Sequence, residues 1–180
     1  MLGTHNALNA LVAFIIALNL NINTDTIFKA LKSFPGIKRR FSVELIKSKV
    51  FIDDYAHHPS EILSVYNSIS KLYPGLKNLV IFQPHLFSRT KDFLIDFAKA
   101  LEKFDKIVLL DIYPAREEPI DGISSKSIYD IIENENKLII KKSEIQELLK
   151  SDSSELIITM GAGDIGDEVE SIKKTLAENL

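Results

Sequence analysis

The chain opens on a stretch that has almost no polar face. Residues 7–20 (ALNALVAFIIALNL) are apolar apart from Asn9 and Asn19 and rich in good helix formers, the pattern of a helix buried on most sides. The stretch is too short to cross a bilayer and lacks the basic flank and small-residue cleavage site of a signal peptide. Thr24 and Asp25 can cap a second helix over 26–33, with Ile27, Phe28 and Leu31 on one face. Pro35-Gly36 stops it. The pattern predicts a helical hairpin over residues 1–37.

From Arg40 the rhythm becomes short apolar runs alternating with amphipathic segments. Strands are expected at 41–46, 50–52, 79–82, 106–110, 138–140 and 156–160, and helices at 59–72, 90–104, 124–133, 143–149 and 165–178. Short, nearly all-apolar strands separated by helices predict an α/β domain over 38–180: a Rossmann-like, mostly parallel sheet with helices on both faces. The hairpin has no sheet of its own. A helix so apolar packs inside something larger, which suggests a fragment begun at an added or chance Met1; a complete small protein whose hairpin covers its own sheet fits the pattern equally well.

Composition narrows the function classes. The 180 residues carry no cysteine, which excludes disulfides, thiolate catalysis and zinc–cysteine sites. A net charge of -3 with both signs spread along the chain gives no reason to expect nucleic-acid or membrane-surface binding. A cytoplasmic, reducing setting is the expectation.

Ligands of open α/β sheets bind at the carboxyl ends of the strands, and the polar residues of this chain concentrate there. The segments are Asp53-Asp54-Tyr55-Ala56-His57-His58-Pro59, then Gln83-Pro84-His85 with Ser88-Arg89-Thr90, then Asp111-Ile112-Tyr113-Pro114-Ala115-Arg116-Glu117-Glu118, and Gly161-Ala162-Gly163-Asp164. Asp54, His57 and His58 can meet a polar substrate, or Asp54 and one histidine can cap the helix that Pro59 opens. Adjacent histidines rarely share an ion, so no metal site is assigned. Arg89 near a helix start opposes the helix dipole unless an anion is present; a substrate carboxylate or phosphate would supply one, and so would Asp92 or Asp111. The two glycines after the last strand allow close backbone approach with outward amides. Lys38-Arg39-Arg40 can reach phosphates or be a solvated linker. Asn6 and Asn9 share a helix face and can read a base edge or cap that helix. No GxxxxGK[ST] segment occurs, so the usual cradle for ATP phosphates is not in this chain.

Taken in order, these segments, with Gly3-Thr4-His5-Asn6-Ala7-Leu8-Asn9-Ala10 and Phe34-Pro35-Gly36-Ile37-Lys38-Arg39-Arg40-Phe41, resemble the Mur ligase family over nearly the whole chain. Their spacing is most like the branch that acts on UDP-N-acetylmuramate and L-alanine. The resemblance implies a three-domain enzyme that uses ATP and Mg2+ to activate the muramate carboxylate as an acyl phosphate, which the amine of L-alanine then attacks. This chain would be the end of the central ATP-binding domain (1–37) plus the C-terminal domain (38–180), inactive without the N-terminal and central domains. The resemblance allots His5, Asn6 and Asn9 to the adenine side, and Arg40 and Asp54 to ribose or phosphate. Tyr55, His57, His85 and Arg89 fall to the amino acid and muramate end, with His57, His85 and Arg89 as the catalytic set. Many relatives carry arginine and tyrosine where Leu86 and Phe87 stand, and often glycine at Arg116. The branch that attaches a whole peptide to UDP-N-acetylmuramate, and a non-catalytic nucleotide-binding module, are the alternatives.

Overall fold

The computed structural model describes the backbone of residues 4–178 and the side chains of residues 6–178. Gly3 and the side chain of His5 lie outside the described residues. Helices α1 (Thr4–Asn19) and α2 (Thr24–Ser33) form the expected hairpin, with the rings of Phe14 and Phe28 5.3 Å apart. The N-cap of α2 is Asn23, whose side chain accepts from the Asp25 amide at 2.8 Å; the cap sits one residue earlier than Thr24. Burial of α1 on most sides is not seen. Leu8, Leu11, Val12, Ile15 and Ile16 are each about half exposed. One antiparallel partner covers a single stripe of a helix, and the rest of this apolar surface faces outward.

The α/β part is built on a six-stranded sheet: β1 (Ser42–Ile46), β2 (Lys49–Asp54), β3 (Asn78–Phe82), β4 (Lys106–Leu109), β5 (Lys137–Ile139) and β6 (Leu156–Met160). The order is β1-β2-β6-β3-β4-β5, with β1 antiparallel to β2 and all other pairs parallel. Helices α3 (Pro59–Leu72), α4 (Phe87–Asp92), α5 (Leu94–Leu101), α6 (Ser125–Ile131), α7 (Ile145–Ser151) and α8 (Val169–Glu178) flank it.

Side chains alternate across a strand, and here each face has its own core. Val80 and Phe82 of β3 join Ile52, Ile107 and Ile158 under α3, α5 and α6. Leu79 and Ile81 join Phe51, Val108 and Ile157 under α7 and α8. Both faces being covered explains why the strands read as continuous apolar runs. Three helices differ from expectation, and the one expected at 143–149 opens as a 3₁₀ turn over Lys142–Glu144 before α7. The segment 90–104 breaks at Phe93 (φ -115°, ψ 24°) into α4 and α5, and the break places the Phe93 ring against His58 at 4.6 Å. The last helix starts as a 3₁₀ turn over Asp164–Glu168 before α8.

Candidate functional site

The helices that follow β2 and β3 lie on one face of the sheet, and α8, which follows β6, lies on the other. Strand β6 sits between β2 and β3, so the chain leaves the sheet in opposite directions at neighbouring strand ends. That divergence opens the crevice where α/β sheets bind ligands. The four loops singled out in the sequence converge on it.

Asp54 and Asp53 end β2 and are both buried. Asp54 accepts from the Phe41 amide at 2.6 Å through Oδ2 and from the Ala56 amide at 2.7 Å through Oδ1. It therefore fixes the turn after β2 and the entry to β1, and does not cap α3. That cap is His58, whose Nδ1 accepts from the Ser60 amide at 3.3 Å, with Glu61 closing a capping box and Pro59 in the first turn. Of the two adjacent histidines, His58 is spent on the helix. His57 is turned to the strand edge: its Nδ1 donates to the Tyr55 carbonyl at 2.8 Å, which leaves Nε2 as an acceptor.

The ring of Tyr55 lies edge-on to His57 at 5.4 Å, and His57 lies 6.1 Å from His85. His85 stacks on Tyr113 at 5.7 Å and has its Nδ1 3.4 Å from Nη1 of Arg89. Arginine only donates, so that Nδ1 accepts and the ring proton sits on Nε2. Burial, then the Arg89 charge and the repulsion that a second imidazolium at His57 would add, hold the pKa of His85 below its ordinary 6.5. Tyr55, His57, His85 and Arg89 are thus brought together. Arg89 forms no ion pair with Asp92 or Asp111 among the described residues. The acid at this helix start is Glu117, which accepts from the Ser88 amide at 2.9 Å and from the Ser88 hydroxyl; these bonds hold its pKa below the usual carboxylate value. The N-cap of α4 is Leu86, with φ 73° and no side-chain bond of its own. Nothing in the sequence beside Leu86 marks this cap, because Glu117 lies 29 positions from Ser88.

Two cavities flank the entry to β1. One, of about 540 Å³, is lined by Asn6, Asn9, Ile37, Arg40, Asp54, Ser60, Glu61, Ser64 and Val65. It unites α1 with the strand edge and gathers four of the five residues expected on the nucleotide side. Its volume lies in the range of small-molecule sites. The guanidinium of Arg40 stands 5.4 Å from the Tyr55 ring centroid, so this cavity adjoins the Tyr55–His57–His85 row. The other cavity, of about 340 Å³, is bordered by Arg39, Lys38, Asp53 and Lys173.

The two glycines after β6 are required by loop packing, and the Gly161 amide donates to the Asp54 carbonyl at 3.4 Å. A Cβ on Gly161 (φ 146°) would stand 2.7 Å from the Gln83 carbonyl oxygen, and one on Gly163 would strike the side chains of Gln83 and Tyr113. They are spent on loop packing. Gln83 locks the same loop, donating to Asp164 Oδ1 at 2.7 Å and accepting from the Ile165 amide at 2.8 Å. No cluster of three or more metal-ligating side chains occurs among the described residues, and no described helix is long and apolar enough to cross a membrane.

A family model described as "Mur ligase, glutamate ligase domain" matches residues 39–163. The UDP-N-acetylmuramate–L-alanine ligase of Flavobacterium psychrophilum is 55% identical over 177 residues, which are 98% of this chain and 40% of that protein. The crystal structure of the UDP-N-acetylmuramate–alanine ligase of Thermotoga maritima superposes with a TM-score of 0.79 at 29% identity, over 100% of this chain and 39% of that one. A murein peptide ligase from Psychrobacter arcticus shares the fold, with a TM-score of 0.70 at 21% identity over 100% of this chain and 38% of its own. The chain spans about 40% of the length of the curated relatives it matches.

Proposed function

Since the chain belongs to the Mur ligase family, we propose that it is the C-terminal part of an ATP-dependent ligase that joins L-alanine to UDP-N-acetylmuramate. Residues 1–37 are then the end of a central ATP-binding domain, and 38–180 the domain that closes over the site. The observation that carries this reading is one continuous edge: a nucleotide-sized cavity lined by Asn6, Asn9, Arg40 and Asp54 adjoins the row of Tyr55, His57, His85 and Arg89.

In this reading His5, Asn6 and Asn9 contact adenine, and Arg40 and Asp54 contact ribose or phosphate. Asp54 already accepts two backbone N–H groups, so it is pre-oriented rather than free to ligate a metal. The residues that hold Mg2+ are proposed to lie in the central domain, where the phosphate-cradling loop would be. ATP supplies the phosphoryl group that activates the muramate carboxylate. The residues of this chain position and stabilise charge. Arg89 pairs with the carboxylate of L-alanine, and the acceptor Nε2 of His57 lies beside His85 to hold the amine. Tyr55 separates the nucleotide end from the amino-acid end.

The experiment is steady-state kinetics on the full-length ligase that carries this chain. Replacing Arg89 by Ala is expected to raise KM for L-alanine by roughly a hundredfold, the cost of about 2–3 kcal/mol of charge-assisted bonding, and to leave KM for ATP within about twofold. An unchanged KM for L-alanine would remove Arg89 from the amino-acid end. Turnover with a whole peptide in place of L-alanine would move the reading to the peptide-attaching branch.

A further inference from the structure

Consecutive arginines at the entry to β1 border different cavities, and of the two only Arg39 has a hydrogen-bonded guanidinium among the described residues. Arg39 is fully engaged by the protein. Its Nη2 donates to the Gly161 carbonyl at 2.6 Å and its Nη1 reaches the Gly163 carbonyl at 3.4 Å. Its Nε lies 3.3 Å from Oδ2 of Asp53, which is buried and also accepts from the Thr159 hydroxyl at 2.9 Å. The Arg39 carbonyl accepts from the Tyr55 amide at 2.7 Å, and its guanidinium lies over the Tyr55 ring at 5.3 Å. Gly166 leaves the room: a Cβ there would stand 2.4 Å from Nη1 of Arg39. One side chain thus ties the ends of β2 and β6 to the segment that leads into the domain.

The backbone on either side of Arg40 is held as tightly. Arg39 and Phe41 have φ of 58° and 52°, a left-handed geometry that non-glycine residues adopt at a cost and keep only where the surroundings enforce it. The enforcing bonds are the Asp54 carboxylate on the Phe41 amide at 2.6 Å and the Ser42 hydroxyl on the Arg39 amide at 3.1 Å. Between these two pinned residues, Arg40 is presented to the larger cavity with the Tyr55 ring beneath it.

We propose that Arg39 is a positioning residue and not a phosphate ligand: anchored on buried Asp53 and the carbonyls of Gly161 and Gly163, it sets the direction in which Arg40 meets the nucleotide. The inference rests on the ligase reading above. Aligning a cation with a developing phosphate charge to within an ångström is worth about a hundredfold in rate, and a guanidinium fork spanning three oxygens is not replaced by lysine.

The test is a double-mutant cycle in the full-length ligase, with kcat and KM for ATP measured for Arg39→Met, Arg40→Ala and the double variant. Arg40→Ala is expected to lower kcat/KM for ATP by roughly a hundredfold, and Arg39→Met by about tenfold, with KM for L-alanine unchanged. The double variant is expected to match Arg40→Ala within about twofold, because residues acting through one another are not additive. Losses that multiply in the double variant overturn the inference, whether Arg39 holds phosphate itself or only stabilises the fold. If Arg39→Met does not fold, Arg39→Lys is read in the same cycle with the same two outcomes. A wild-type enzyme that makes no amide from UDP-N-acetylmuramate, L-alanine and ATP overturns the ligase reading and this inference together; multiplying losses in an active enzyme overturn this inference alone.

Discussion

The two parts of the chain treat the same kinds of side chain in opposite ways. In the α/β part, Ile52, Leu79, Ile81, Phe82 and Ile158 are fully buried between the sheet and helices on both faces. In the hairpin, Leu11, Val12, Ile15 and Ile16 are about half exposed, and Ile27 is the buried residue of α2. A few hundred Å² of contiguous exposed apolar surface marks an interaction face in a folded protein. The difference separates a part that carries its own core from a segment whose apolar side chains are largely uncovered. It also explains why a helix with no polar face is legible as buried from sequence and yet is found uncovered here.

The largest effect that sharpens this contrast is on stability. Phe82→Ala empties the centre of the first core and is expected to cost about 3–5 kcal/mol, read as a fall in the urea midpoint of the chain. Ile15→Ser on the outer side of α1 is expected to cost less than about 0.5 kcal/mol in the same chain. In the proposed full-length ligase, where the rest of the central domain covers α1, the Ile15 change rises to about 2–5 kcal/mol. Equal costs for Ile15→Ser in both settings would break the comparison.

The smaller effect is a pH dependence at the strand edge. Folding holds the pKa of His85 below 6.5, so the unfolded chain binds a proton that the folded chain refuses. The contribution to stability is complete above pH 6.5 and is lost as pH falls through the depressed folded value. Replacing His85 by Gln is expected to flatten that part of the stability profile, measured as urea midpoints across the weakly acidic range. A profile of unchanged slope would mean that His85 is not held neutral in the fold.

Much of the fold is legible in the sequence because burial on both faces writes itself as apolar runs. The alternation of Leu79, Val80, Ile81 and Phe82 between two cores has no polar interruption to hide it. Sequence reading fails where one side chain has two possible masters. Adjacent His57 and His58 look alike in the chain, and only the path into α3 decides that His58 caps and His57 does not. Gly161 and Gly163 suggest open amides, while Gln83 and Tyr113, remote in sequence, fill the space they leave. Glu117 was one of two adjacent acids in a loop, and its bond to Ser88 depends on a contact across 29 positions.

The central claim, that this chain holds the amino-acid edge and one wall of a nucleotide cavity but not a complete active site, is tested most directly by amide formation. The measurement is ATP-dependent conversion of UDP-N-acetylmuramate and L-alanine by the isolated chain and by the proposed full-length ligase, each checked for folding. The expected result is product from the full-length protein and none from the isolated chain. Product from the isolated chain, or none from a folded full-length protein, would contradict the account.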